Sequence, residues 1–372
     1  MPVSTTAAVA RAGADGFTWE PVRLEDPREG EALVRVVAAG LCHTDLSVLA
    51  GRLPVTLPAV LGHEGAAVVE AVGPGVTSVM PGDRVLLSFT NCGHCTACLG
   101  GRPTACSTFF LRNFSAGRPD GSSPISTPDG ERLGGRFFGQ SSLARHAVVD
   151  VRSAVKVTAT GEDELAMLAP VGCGVQTGAG AVLNVLRPAT GATLVVFGAG
   201  AVGLSAVMAA RLTGASRIIA VDRVPSRLRL ALELGATDIV DTTRGPLPEL
   251  LSGLGDLTHA LETTGVPAVL EQAIDAVSST GTVAVVGAPA AGSRVSFDVN
   301  ALIDGRTIRG VTEGGSDRLT FIPALIELHR QGRLPFDRLI RTYPPEELDR
   351  AVADAQSGAT LKPVIRFSGE DA

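Results

Sequence analysis

With 372 residues, 45% of them hydrophobic, and 44 glycines, the chain has the length of about two domains and the composition of a well-buried α/β protein, which excludes a fibrous or disordered class. The net charge of −6 is modest and no basic stripe occurs, which argues against nucleic acid and membrane as main partners; no apolar run is long enough to span a bilayer. Substrate and cofactor must then be recognised locally, by particular side chains.

Along the N-terminal part, short β segments over Ala32 to Ala38, Ala66 to Val72 and Arg84 to Phe89 alternate with glycine and proline, the pattern of a β-rich domain. The opening residues Met1-Pro2-Val3-Ser4-Thr5-Thr6 lack a basic start and an apolar core, so a reduced, cytoplasmic setting is expected. Two metal-ligand patterns use all six cysteines. Cys92, Cys95, Cys98 and Cys106 are spaced for one closed tetrahedral zinc site, a disulfide cluster being the alternative reading. Cys42, His63 and Cys173 lie far apart in sequence. Two thiolates and one imidazole leave a fourth position open, the ligand set of a catalytic zinc. Alone, His63 would more often be an ordinary polar residue; its place between the two cysteines is what singles it out.

Residues Ser115 to Gly135 are dense in Gly, Ser, Pro, Asp and Arg and read as a surface loop. Around it, Phe109, Phe110, Phe114, Phe137 and Phe138 are either ordinary core or the wall of an apolar pocket.

From about Thr193 the pattern changes to strands and helices in alternation: Leu194 to Phe197, helix Val202 to Leu212, Arg217 to Val221, helix Arg227 to Leu234, then Ile239-Val240. Alternation of this kind predicts a parallel, doubly wound sheet. Gly198, Gly200 and Gly203 form the glycine turn between the first strand and first helix: they allow the tight turn, close backbone approach to a pyrophosphate, and close helix–strand packing. The helix N-terminus receives the phosphate charge. Asp222, at the end of the next strand, is placed to accept hydrogen bonds from the adenosine ribose and to repel a 2′-phosphate, which favours NAD; the adjacent Arg223 would attract that phosphate. After Thr282 to Val286 and Thr307 to Val311, one helix over Phe321 to Arg330 and a last strand over Pro363 to Phe367 read as a tail that packs back on the first domain.

Taken together these motifs resemble the zinc-dependent medium-chain alcohol dehydrogenases over essentially the whole chain. Phe138-Gly139-Gln140-Ser141-Ser142 and Gly172-Cys173-Gly174-Val175-Gln176-Thr177-Gly178-Ala179-Gly180 are most similar to the aryl-alcohol (benzyl alcohol) branch, which includes relatives acting on allylic terpene alcohols. The resemblance implies a GroES-like catalytic domain over 1–175, with a structural zinc lobe at about 90–110, an inserted NAD-binding Rossmann domain over 176–310, and a return to the catalytic domain over 311–372. It implies two zinc ions per subunit, an active site in the cleft between domains, and a homodimer or homotetramer formed through the sheet edge near Ile308 to Thr312. It assigns Cys42, His63 and Cys173 to the catalytic zinc, with Glu64 just behind the metal as a transient ligand. By the same resemblance Thr44 takes the substrate proton, Thr177 and Val202 contact the nicotinamide, His43 and Lys362 the pyrophosphate, Arg227 the adenosine ribose, and Leu53, Phe89 and Phe138 the substrate. One position departs from the pattern: Ser47 stands where many relatives carry a histidine that passes the proton to solvent, so the end of the relay is open.

The expected function is oxidation of a primary aromatic or allylic alcohol to an aldehyde with NAD, NADP being the weaker alternative. Same-fold reductases of a conjugated C=C or an iminium, a redox-neutral biosynthetic relative, and a non-catalytic zinc scaffold are the competing readings.

Overall fold

The computed structural model describes residues 3–367. Two compact units divide the chain: the described parts of Met1–Cys173, Asp317–Ile326 and Asp337–Ala372 form the first, and Gly174–Ser316 with Glu327–Phe336 form the second.

The first unit is built on two β-sheets. Its larger sheet centres on Glu31–Gly40, where nine of ten residues are buried; Glu64–Val72, His146–Asp150 and Lys362–Arg366 all pair antiparallel with that strand. Arg84–Leu87 and Ala154–Lys156 extend the sheet on one side and Ile340–Tyr343 on the other. The strand Lys362–Arg366 thus belongs to the first unit. A second sheet joins Ala59–Val60, Val3–Ala10, Phe17–Leu24, Ile125–Ser126 and Arg132–Leu133.

The last two of these strands correct the reading of residues 115–135 as a surface loop. Ile125 and Leu133 are buried in the apolar cluster of that sheet, and the buried Arg118 donates Nε and Nη2 to the Glu31 carboxylate at 2.7 and 2.9 Å. Strands of two residues are too short to show a period, and a buried arginine reads as a surface residue until its partner is known.

In the second unit six parallel strands run in the spatial order Asp238–Asp241, Arg217–Asp222, Thr193–Phe197, His259–Glu262, Thr282–Val285, Thr307–Gly310. In order of appearance along the chain that is 3-2-1-4-5-6, the doubly wound dinucleotide-binding order. All five residues of Thr193–Phe197 are buried because helices cover both faces of such a sheet, so the strand reads as a continuous apolar run without alternation. Helices Ala201–Ala210 and Pro225–Leu234 follow the first two strands, with Pro225 in the first turn, where its missing N–H costs nothing. Among the described residues no single helix is long and apolar enough to cross a membrane.

Candidate active site

Cys42 stands at the N-cap of the short helix His43–Leu49. Asp45, at the third position of that helix, folds back so that its Oδ2 accepts from the Cys42 N–H at 2.9 Å, fixing the cysteine's backbone as in a capping box. Its other oxygen, Oδ1, accepts from the Gly62 N–H at 3.0 Å and lies 3.2 Å from His63 Nδ1. One fully buried carboxylate therefore fixes both the cysteine and the histidine. The sequence motif contained Asp45, yet its role was not legible, because an acidic residue at that helical position serves as a cap whether or not a histidine comes near.

His63 is fully buried between two rings: Phe138 stacks on it at 4.5 Å and Phe137 meets it edge-on at 5.5 Å. With Nδ1 directed to Asp45, its Nε2 is buried and has no hydrogen-bond partner. A buried polar atom without a partner is costly, and here it has an explanation. The ligand atoms of Cys42, His63 and Cys173 all lie within 4.8 Å of one another, so the orphaned Nε2 faces two sulfurs. A metal ion held there would satisfy that atom, and a carboxylate behind the other ring nitrogen is the usual orienting partner of a metal-bound histidine. The electrostatics suit a cation as well. A hydrogen bond from Cys173, outweighing burial and helped by the charges of Lys362 and His63, holds the Cys42 thiol well below its usual range. Burial works against charge on His63, but Asp45 and Cys42 outweigh it and hold its proton affinity well above the ordinary value.

Behind this set lies Glu64. Its carboxylate receives Lys362 Nζ at 2.8 and 3.0 Å, and both side chains are buried. Lys362 also donates toward the Leu41 carbonyl at 3.4 Å. The lysine expected at a coenzyme pyrophosphate is thus engaged by Glu64 within the first unit, where the burial of Glu64 demands a counter-charge. Gly40 makes room for the pair: a Cβ there would lie 2.1 Å from Glu64 Oε2.

Thr44 Oγ1 is 3.8 Å from Cys42 Sγ, and the half-buried Ser47 follows on the same helix with Arg52 Nη2 3.5 Å from its hydroxyl. His43 is exposed. Of the three expected substrate contacts, Phe138 is 4% exposed and Leu53 half-buried, both in the main apolar cluster. Phe89 is fully buried, against Phe109 and beneath the Arg318 guanidinium at 4.8 Å. Its ring packs in the same apolar cluster as Phe138 and Leu53.

The four remaining cysteines converge around the short helix Thr96–Leu99, with all four sulfurs within 4.8 Å. None of the six cysteines is joined in a disulfide, which removes the disulfide alternative. Cys92 Sγ accepts from the Cys95 N–H and Cys106 Sγ from the Cys92 N–H, each at 3.3 Å, while Asn91 Nδ2 donates to Cys98 Sγ at 3.1 Å. Donors of this kind favour thiolates. Backbone N–H groups of Ser107 and Cys98 bring Cys95 down to about 5, whereas burial and its cysteine neighbours push Cys98 up to about 11. Packed thiols cannot all ionise unaided; a divalent cation at their centre lets them. Neither Asn91 nor its buried partner Arg318, Nη2 to Oδ1 at 2.9 Å, was singled out by the sequence, because they stand 227 positions apart in the chain.

In the second unit Gly198 has φ of 95° at the strand exit, a conformation that favours glycine. A Cβ on Gly203 would lie 1.8 Å from the Gly198 carbonyl, so close packing of helix on turn requires glycine there; at Gly200 nothing stands within 4 Å, leaving the approach open. Asp222 ends its strand with Oδ2 accepting from the Ala199 N–H at 2.6 Å and Oδ1 from those of Arg223 and Val224 at 2.7 and 2.9 Å. It therefore ties the glycine turn to the strand end. Arg227 lies in the first turn of Pro225–Leu234, and its buried Nε has no hydrogen-bond partner. Val202 is in the first turn of Ala201–Ala210, and Thr177 is buried in Gly174–Gly180.

A nucleotide-binding sheet and two thiolate-rich metal geometries in one chain define a zinc-binding dehydrogenase. Comparison with known proteins agrees. Residues 28–159 match the alcohol dehydrogenase GroES-like domain and residues 201–329 the zinc-binding dehydrogenase domain. The chain is 43% identical over 371 residues to geraniol dehydrogenase of Castellaniella defragrans, covering 98% of both proteins. A zinc-binding alcohol dehydrogenase domain protein from Burkholderia ambifaria, 52% identical, superposes with a TM-score of 0.94 over 99% of this chain and all of its own. Benzyl alcohol dehydrogenase from Acinetobacter calcoaceticus, 44% identical, superposes at 0.93 over 98% of this chain and all of its own. The chain belongs to the zinc-dependent medium-chain alcohol dehydrogenases, enzymes built from a GroES-like and a Rossmann-type domain.

Proposed function

We propose that this alcohol dehydrogenase oxidises primary aromatic or allylic alcohols to aldehydes with NAD, at a zinc held by Cys42, His63 and Cys173. The observation that carries the reading is the orphaned His63 Nε2 facing two cysteine sulfurs. A zinc held there would polarise the alcohol oxygen and lower its pKa. Thr44 Oγ1 takes the hydroxyl proton and passes it along the helix toward Ser47. Phe138 and Leu53 supply apolar surface for a ring or an isoprenoid chain. Bound NAD would supply the hydride acceptor; Gly198, Gly200 and Gly203 would admit its pyrophosphate, Thr177 and Val202 would meet the nicotinamide, and Asp222 and Arg227 the ribose. Asp222 excludes a 2′-phosphate by charge, which favours NAD over NADP. Glu64, held by Lys362, stays poised behind the metal.

Cys92, Cys95, Cys98 and Cys106 hold a second, structural zinc, giving two per subunit. Six cysteines in two ligand sets, none in a disulfide, suit a reducing cytoplasm. Thr307–Gly310 ends its sheet, and a second copy of the chain pairing there would give the homodimer on which a tetramer is built. The names of the geraniol and benzyl alcohol dehydrogenases above support the substrate class. Steady-state formation of reduced nicotinamide from NAD with benzyl alcohol and with geraniol tests the reading. Activity only on a conjugated C=C or an iminium, or turnover without net redox change, would replace it with one of the other enzymes of this fold.

A further inference from the structure

In the larger sheet of the first unit the ladder between Glu64–Val72 and Arg84–Leu87 stops at the Ala66–Leu86 pair. Just beyond that point, in opposite directions, stand His63 and Ser88. The Gly172 peptide lies beside the gap: a Cβ on Gly172 would be 2.3 Å from the Leu87 carbonyl and 3.8 Å from Glu64 Cα. Backbone groups freed where a ladder ends inside a core need partners. One side chain supplies them. The fully buried Gln140 donates both hydrogens of Nε2, to the His63 carbonyl at 3.0 Å and to the Ser88 carbonyl at 2.9 Å, and its Oε1 accepts from the Gly65 N–H at 3.1 Å. Ser88 continues the chain of contacts, its Oγ donating to the Gly172 carbonyl at 2.6 Å, one residue before Cys173.

Its neighbours in sequence hold the same histidine-bearing segment. Ser141 Oγ donates to the Val60 carbonyl at 2.6 Å, and the N–H groups of Ser142 and Leu143 bond the carbonyls of Gly62 and Leu61 at 3.0 Å each. Phe138, which stacks on the His63 ring, does so from a left-handed backbone with φ of 52°. A phenylalanine keeps that conformation only where its surroundings fix it.

We propose that Gln140 is a positioning residue for the metal site: it sets the separation of the His63 and Cys173 backbones, and so the spread of the ligand set, through His63 directly and through Ser88 and Gly172. The inference rests on the reading of Cys42, His63 and Cys173 as metal ligands. A glutamine is needed because only a primary amide offers two donors and an acceptor in one plane at that reach. Glutamate keeps the shape and the bond from Gly65 but cannot hold both carbonyls.

The test uses the full-length enzyme with cobalt(II) in place of zinc, read by the visible bands of thiolate-bound cobalt, and zinc retention against a chelator. Wild-type protein with no metal at the Cys42 set would defeat the parent reading. If wild type binds there, Gln140→Glu and Gln140→Met should shift the cobalt bands and loosen that metal about 10- to 100-fold, the usual effect of losing an orienting partner, while the metal at Cys92 to Cys106 stays. Ser88→Ala, a gentler change, should loosen the same metal in the same direction and carries the test should the Gln140 variants not fold. Ser142→Ala removes a buried hydroxyl without a partner from the same segment, and should leave affinity and spectrum unchanged. Unchanged spectrum and affinity in Gln140→Glu, or in Ser88→Ala if that must stand alone, would overturn the proposal, as would equal loosening by Ser142→Ala.

Discussion

Replacing Lys362 with methionine separates two roles for this lysine, a holder of Glu64 and a contact to coenzyme phosphate. Nζ is 2.8 Å from Glu64 Oε1, and the two side chains are 5% and 0% exposed. At an effective dielectric of about 20 the gross attraction over that distance is about 6 kcal/mol, most of it offset by the cost of taking both charges out of water. Lys362→Met removes the attraction and leaves the desolvated carboxylate. Loss of one partner of such a pair costs about 3–5 kcal/mol, or about 6–20 °C in melting temperature for a unit of this size. Burial already pushes the Glu64 carboxyl upward, so the variant should take up a proton there. Adding Glu64→Gln removes the orphaned charge, and the double variant should regain at least about 2 kcal/mol over Lys362→Met. Trp19, the chain's only tryptophan, reports on the first unit alone: its Nε1 donates to the Pro345 carbonyl at 2.9 Å and its ring packs edge-on against Phe367. Urea unfolding followed by its fluorescence, at matched zinc content, gives all four corners of the cycle. A Lys362→Met variant within about 1 kcal/mol of wild type, or a double variant no more stable than the single, would refute the reasoning. A double variant that regains stability but binds NAD far more weakly would restore the phosphate role.

Asp222→Ala should raise the ratio of kcat/KM for NADP over NAD by about tenfold or more, since repulsion of the 2′-phosphate is lost while Arg223 remains; an unchanged ratio would remove Asp222 from coenzyme selection. Glu31 tests the buried charge cluster. Burial pushes its carboxyl up, but Arg118, the Arg28 N–H and Arg136 outweigh this and hold it below the usual 4.5, so its stabilisation is present above that pH and lost as pH falls through the lowered value. Glu31→Gln should cost about 3 kcal/mol at neutral pH by Trp19 fluorescence and show a shallower acid decline than wild type, and parallel declines would contradict it. A ring that buries about 100 Å² more than ethanol gains about 2.5 kcal/mol, so kcat/KM for benzyl alcohol should exceed that for ethanol by about 60-fold; equal values would defeat an apolar pocket.

What was legible in the sequence was whatever depends on local pattern. The strand Thr193–Phe197 and its glycine turn announce themselves because a buried parallel strand is a continuous apolar run and the turn tolerates only glycine at Gly198 and Gly203. Spacing marked both cysteine sets. Hidden were the contacts made across the chain: Arg118 on Glu31, Arg318 on Asn91, and Gln140 between His63 and Ser88, where a polar residue at an unremarkable position acquires its role from a partner 52 to 227 residues away. Lys362 and Phe89 show the reverse. The family resemblance gave each an expected role, and what the sequence did not show is that the lysine pairs with the buried Glu64 and that the ring is fully buried.

The most direct test of the account is zinc per subunit, measured together with kcat, in wild type, Cys173→Ser and Cys98→Ser after extensive dialysis. Wild type should carry two zinc ions. Cys173→Ser should lose one ion and nearly all turnover while melting close to wild type, whereas Cys98→Ser should lose the other ion chiefly at the expense of melting temperature. A Cys173→Ser variant that keeps both its zinc and its turnover would contradict it.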